Sequence, residues 1–140
     1  GQDIIDGYVN IDIKPQNTKV VAADFRNLNN VVKEPVAEIK AIGCLPHIHF
    51  KEIESTIAHW SSLLRSGGII RLQDLDIQLV ANQFIFEQIS LEQYNTATYS
   101  NEAVAGYTLS FIEKILLRCN IIISEKGYNG FTFFIHGFKQ

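Results

Sequence analysis

From Phe50 to Leu64 the apolar residues Phe50, Ile53, Ile57, Trp60 and Leu64 recur at steps of three and four, and the stretch then runs through Ser66-Gly67-Gly68 into Ile69-Ile70-Arg71-Leu72. The spacing predicts one apolar stripe of an amphipathic helix. The glycines permit a left-handed stop, and the β-rich run after them predicts a strand. A helix that feeds directly into a strand is a unit of folds in which helices pack on a mostly parallel sheet, and such a unit needs further strands beside it.

Those strands are legible. Gly7-Tyr8-Val9-Asn10-Ile11-Asp12-Ile13 alternates apolar and polar residues and stops before Lys14-Pro15, while Thr18-Lys19-Val20-Val21-Ala22-Ala23 and Ala37-Glu38-Ile39-Lys40-Ala41-Ile42 are short and β-rich. Strands are therefore expected over residues 7–13, 18–24, 37–42, 68–72, 121–126 and 131–138. Asp74 or Asp76 is placed to cap a helix carrying Ile77, Val80, Ala81, Phe84 and Ile85 on one side. Ser90-Leu91-Glu92-Gln93 fits a capping box, and Thr108 precedes a helix with Leu109, Ile112, Ile115, Leu116 and Cys119 inward, ending at Asn120. Asn129-Gly130 signals a hairpin between the last two strands, which makes the final strand antiparallel to its neighbours. The class is α/β, with residues 1–140 as a single domain.

Composition narrows the function classes. The chain has 140 residues, is 46% hydrophobic and 19% charged, and carries 12 Lys+Arg against 15 Asp+Glu for a net charge of -3. That apolar content is enough for a core and argues against intrinsic disorder. No Lys/Arg block exists to neutralise a run of phosphates, so no nucleic-acid partner is expected. The apolar runs fall far short of the ~20 residues that span a bilayer, and the start lacks the basic and apolar regions of a signal peptide. No membrane partner and a cytoplasmic location follow as expectations. Cys44 and Cys119 lie far apart with no CxxC partner, as expected of two reduced thiols. His47, His49, His59 and Asp74 offer no compelling metal-ligand spacing, so no metal is expected. The chain contains no methionine and begins with Gly1, so its N-terminus is expected to be cut, engineered or incomplete.

In the order of its pieces the chain resembles the class I S-adenosylmethionine-dependent methyltransferases, in particular a compact group whose second strand reads Gly-Trp-x-Asn-x-Asp, matched by Gly7-Tyr8-Val9-Asn10-Ile11-Asp12. Ala23-Asp24 stands for the pair ending the third strand, and Leu45-Pro46-His47-Ile48 loosely matches a Leu-Glu-His-Phe turn after the fourth. Leu63-Leu64-Arg65-Ser66-Gly67-Gly68 through Gln73-Asp74-Leu75-Asp76 is similar to a helix ending in Leu-Lys-Pro-Gly-Gly followed by a strand into Pro-Asp-Leu-Asp. The resemblance covers essentially the whole chain and implies a Rossmann-like sheet, mostly parallel with a C-terminal antiparallel hairpin. It also implies N-terminal truncation, because the family opens with a strand ending in Gly-x-Gly, of which Gly1 is either the last glycine or a tag remnant.

The same resemblance implies site roles. Asp12, ending a parallel strand, takes the position of the acid that accepts both ribose hydroxyls; its plainer alternative is a surface acid. Asp24 and Phe25 match the adenine site, although a loop Asp that caps the next turn reads almost equally well. Gly1 and Gly43 complete the cofactor set. His47 is the candidate catalytic base, set against a histidine that merely orders its loop, and Pro46 stands where the family has Glu. Asp74 and Asp76 look like paired carboxylates, with helix capping the simpler account.

Two functions follow as expectations. One is a methyltransferase domain acting on a small-molecule, sugar-like or peptide-like methyl acceptor, present as a fragment that does not hold S-adenosylmethionine as it stands. The other is a catalytically inactive scaffold or oligomerisation module. The loss of the strand that the family places between residues 7–13 and 37–42 leaves a gap to be filled by direct closure, by residues 2–5 folding back, or by a second copy of the chain, and a homodimer is the expected filler.

Overall fold

The computed structural model describes residues 4–100 and 102–140. Two short strands come first, β1 (Asn10–Asp12) and β2 (Val20–Ala22), paired in parallel. β3 (Val36–Ile42) follows, then a 3-10 turn over Leu45–His47 and helix α1 (Ile53–Leu63). The chain continues through β4 (Leu64–Leu75), α2 (Ile77–Ile85), α3 (Leu91–Tyr99), α4 (Leu109–Arg118), β5 (Ile121–Asn129) and β6 (Thr132–Lys139). The larger sheet has the order β3-β4-β6-β5: β3 and β4 are parallel, and β6 runs antiparallel to both β4 and β5.

Local chemistry sets most boundaries. Asp76 accepts the amides of Gln78 and Leu79 and so starts α2. Ser90 and Gln93 form the reciprocal capping box of α3, and Thr108 accepts the Phe111 amide at the start of α4. Asn120, just past α4, sits at φ 60°, the left-handed conformation that Asn tolerates. The hairpin forms, but its loop is Gly130-Phe131, since Asn129 already pairs with Thr132. Gly130 at φ 61° is the first loop residue, the position where a type II′ turn requires a positive φ.

Four expectations need correction. Phe50 lies outside α1 and is 61% exposed, because its ring stacks on Phe111 at 5.2 Å instead of entering the core. Leu64 is buried but belongs to β4, which begins directly after the helix. Ser66-Gly67-Gly68 therefore does not cap α1: Gly67, at φ 71°, falls where the register between β3 and β4 shifts, Val36 pairing with Leu64 but Glu38 with Ile69. The left-handed glycine accommodates extra residues in one strand, as a bulge does. On α2 only Val80 is buried, and Ile85 is 68% exposed.

The core gathers Ile53, Ile57 and Trp60 of α1 and Ile112, Ile115 and Leu116 of α4 against Ile70, Leu72, Phe133 and Ile135 of the sheet. These helices cover one face. The opposite face mixes apolar residues, among them Ile42, Ile69, Phe134 and Phe138, with a polar cluster in which Arg71 Nε donates to Glu38 at 2.6 Å and Arg71 Nη1 lies 3.2 Å from His136. β1 pairs with β2 and not with β3, so among the described residues no strand joins the two sheets. Direct closure is thus not what the chain does, and of the proposed fold-back segment, residues 2 and 3 lie outside the described residues while Ile4 and Ile5 form no strand. No helix among the described residues is long and apolar enough to cross a membrane.

Candidate functional site

Loops at the ends of β1, β3 and β4 meet around two cavities. The larger, about 560 Å³, is lined by Asp12 and Ile13 at the end of β1, by Phe25, and by Gly43, Cys44 and His47 after β3. The smaller, about 190 Å³, is lined by Pro46, His47, Asp74 and Leu75, by Ile77 at the start of α2, and by the last turn of α3 with the segment that follows it. Gly43 and His47 line both, so one turn of chain forms the wall between them. Gly43 makes the turn at φ 66°, where a side chain would be strained although no atom lies within 4 Å of a Cβ built there.

The turn is held from the neighbouring strand. Asp74 Oδ2 accepts the Leu45 amide at 3.0 Å and Oδ1 accepts its neighbour Leu75 at 2.9 Å. Burial raises the Asp74 pKa to about 6, outweighing the amides and His47, which favour the ionised form. Burial likewise pushes the Cys44 thiol up to about 12, so it stays protonated and unreactive. Trp60 Nε1 donates to the Phe25 carbonyl at 2.7 Å, fixing the loop that carries the Phe25 ring.

The structure brings together Asp12, Phe25, Gly43 and His47 of the anticipated residues. Asp24 does not line either cavity: its carboxylate is held by Arg26 Nε at 2.9 Å and Nη2 at 2.7 Å, which keeps its pKa below the usual carboxylate value. Gly1 lies outside the described residues. Asp12 Oδ1 accepts the Lys14 amide at 2.8 Å. His47 is exposed. The loop-ordering role considered for it is filled by Asp74, and a backbone-binding histidine occurs elsewhere, where His59 Nε2 accepts the Leu28 amide at 2.9 Å. Asp74 and Asp76 do not act as one carboxylate pair, since Asp76 caps α2 and also accepts the Leu109 amide at 2.9 Å. Among the described residues no three His, Cys, Asp or Glu side chains gather in a way that could hold a metal. Sequence reasoning missed Asp74 as a cavity residue because its partner, Leu45, is distant in the chain.

No protein-family profile matches the sequence, and no curated protein does. Solved structures do match in shape. An O-methyltransferase family protein from Burkholderia thailandensis superposes with a TM-score of 0.64 at 12% identity over 86% of this chain and 35% of that one. Magnesium protoporphyrin IX methyltransferase from Synechocystis, solved with bound S-adenosylhomocysteine, gives 0.56 at 15% identity over 86% and 50%. The N-methyltransferase NodS from Bradyrhizobium japonicum, in complex with S-adenosylhomocysteine, gives 0.59 at 13% identity over 92% and 64%. The chain thus has a class I methyltransferase fold, and it spans 35% to 64% of the length of these three structures.

Proposed function

We propose that residues 1–140 belong to one S-adenosylmethionine-dependent methyltransferase domain, with the larger cavity taking the cofactor and the smaller one the methyl acceptor. The observation that carries this reading is the shared wall: Gly43 and His47 line both cavities, so ligands in the two would meet there. The larger cavity fits the cofactor's nucleoside in the chemistry of its lining, with a carboxylate acceptor in Asp12 and an aromatic wall in Phe25. When bound, S-adenosylmethionine supplies a sulfonium methyl that an acceptor heteroatom takes as the carbon–sulfur bond breaks, the acceptor's proton leaving.

The chain's own residues orient that exchange. Asp74 fixes the Leu45 end of the turn, which sets where His47 stands between the cavities, and Trp60 fixes Phe25. His47 is the group placed to receive a proton from an acceptor at the wall.

The 140-residue chain by itself holds the cofactor only weakly, because its sequence contains no Gly-x-Gly turn to bring backbone amides to the methionine end, and several missing hydrogen bonds at ~1 kcal/mol each remove most of the net binding. A second reading, an inactive scaffold, draws support from the edges of β1 and β3, which no strand of the described residues occupies. Titration with S-adenosylmethionine separates these readings. Saturable binding in the millimolar range that shifts the Asp12 and Phe25 amides supports the proposal, micromolar binding by calorimetry overturns the claim of weakness, and no binding favours the scaffold.

A further inference from the structure

The smaller cavity has an electrostatic character that points to a ligand class. Asp74 is only 6% exposed, and it lies on the same face of β4 as the buried Ile70 and Leu72. No Lys or Arg among the described residues lines the cavity; besides Asp74 and His47 its wall includes Pro46, Ile77 and Ala105, with the hydroxyls of Thr98 and Ser100. We infer that this cavity selects a methyl acceptor bearing a protonated amine, held by the Asp74 carboxylate. The inference rests on the acceptor role proposed for the cavity and adds the chemical class of the acceptor.

The chemistry is specific. A carboxylate has about four lone-pair sites, and the two backbone amides on Asp74 occupy one on each oxygen, leaving acceptor capacity for a ligand donor. A carboxylate or phosphate ligand would meet a buried like charge with no Lys or Arg in the lining to offset it. A hydroxyl would give a neutral hydrogen bond to the same oxygens, whereas an ammonium gives a charge-assisted one, roughly twice as strong. The buried carboxylate titrates near 6, so at neutral pH it carries a charge that burial disfavours and that a bound cation would stabilise. Cavity size sets the scale: about 190 Å³ is room for roughly six water-sized groups, enough for an alkylamine or a single small ring and too little for a fused ring system.

The groups facing Asp74 are the His47 imidazole and the Cys44 thiol, and the thiol stays neutral at any working pH. Protonation of Asp74 disfavours a cation, and that titration is followed directly at its carboxyl carbon.

The test uses three probes of one shape, butylammonium, 1-butanol and butyrate, titrated into isotope-labelled protein and read at the Leu45, Leu75 and Gly106 amides. Butylammonium is expected to shift these amides saturably and to move the Asp74 carboxyl titration to lower pH. Its affinity should exceed that of 1-butanol and fall about tenfold between pH 7.5 and pH 5, as expected for binding to the ionised form of a group near 6. Butyrate is expected to leave the amides in place. Butyrate or 1-butanol binding as tightly as butylammonium, no shift at these amides, or an affinity unchanged over that pH range would overturn the inference. Asp74→Asn should abolish the amine response, but because it also disturbs the turn, the wild-type titrations decide. S-adenosylmethionine binding is read separately at Asp12 and Phe25, so failure of the methyltransferase reading and failure of amine selection show at different residues.

Discussion

Asp74 Oδ2 accepts the backbone amide of Leu45 at 3.0 Å, tying the end of β4 to the turn after β3 across 29 residues of chain. The bond organises the site and has a thermodynamic consequence, because the carboxyl is raised by burial from 3.8 to about 6 in the folded state. A raised acid favours folding when protonated, so its contribution is fully present below pH 3.8 and is lost as pH rises through about 6. About two pKa units correspond to on the order of 2 to 3 kcal/mol. The stability difference between wild type and Asp74→Asn, from urea denaturation, should shift by that amount in favour of wild type between pH 7.5 and pH 4. A difference that is flat with pH would show that Asp74 titrates normally.

Asp76 serves three amides from two helices, those of Gln78, Leu79 and Leu109, while 1% exposed. Asp76→Ala leaves all three without their acceptor in a site closed to water. A loss of roughly 2 to 4 kcal/mol is expected, read as a lower denaturation midpoint with an unchanged slope.

Trp60→Phe retains an aromatic ring in the core but removes the Nε1 donor to the Phe25 carbonyl. The expected cost is about 1 to 2 kcal/mol, chiefly from the orphaned carbonyl. Hydrogen exchange should rise in the loop around Phe25 more than in α4, and a uniform rise across both would assign the effect to lost packing alone.

β1 and β3 each present an edge that no strand of the described residues occupies. Each backbone group left unpaired and buried costs ~1 to 3 kcal/mol, so such edges recruit strands from other chains. Light scattering of the 140-residue chain at micromolar concentration is expected to give twice the monomer mass, 15.8 kDa. A clean monomer would reject association through these edges.

What the sequence carried was mostly local. The Ile53-Ile57-Trp60 stripe, the Asp76, Ser90 and Thr108 caps and the left-handed Asn120 depend on residues within a turn or two of one another, so spacing and residue type suffice to find them. The order of strands and helices, and with it the resemblance to class I methyltransferases, was legible for the same reason. Phe25 came with that resemblance, but the Asp24–Arg26 fork that takes Asp24 out of the site is a two-residue contact that could have been noticed.

Tertiary structure decided the rest, wherever a residue's role depends on what packs against it from far along the chain. Gly67 reads as a helix stop until β3 pairs alongside and turns it into part of a register shift. Phe50 fits the helical period, yet Tyr107 and Phe111 arrive from the other end of the chain and hold its ring outside the core. Asp74 and Asp76 are equivalent caps in the sequence; only burial under the Leu45 turn makes Asp74 a cavity carboxylate with a raised pKa, while the α4 amide of Leu109 locks Asp76 into structure. Periodicity records which face a residue occupies, and desolvation and long-range pairing determine what that face becomes.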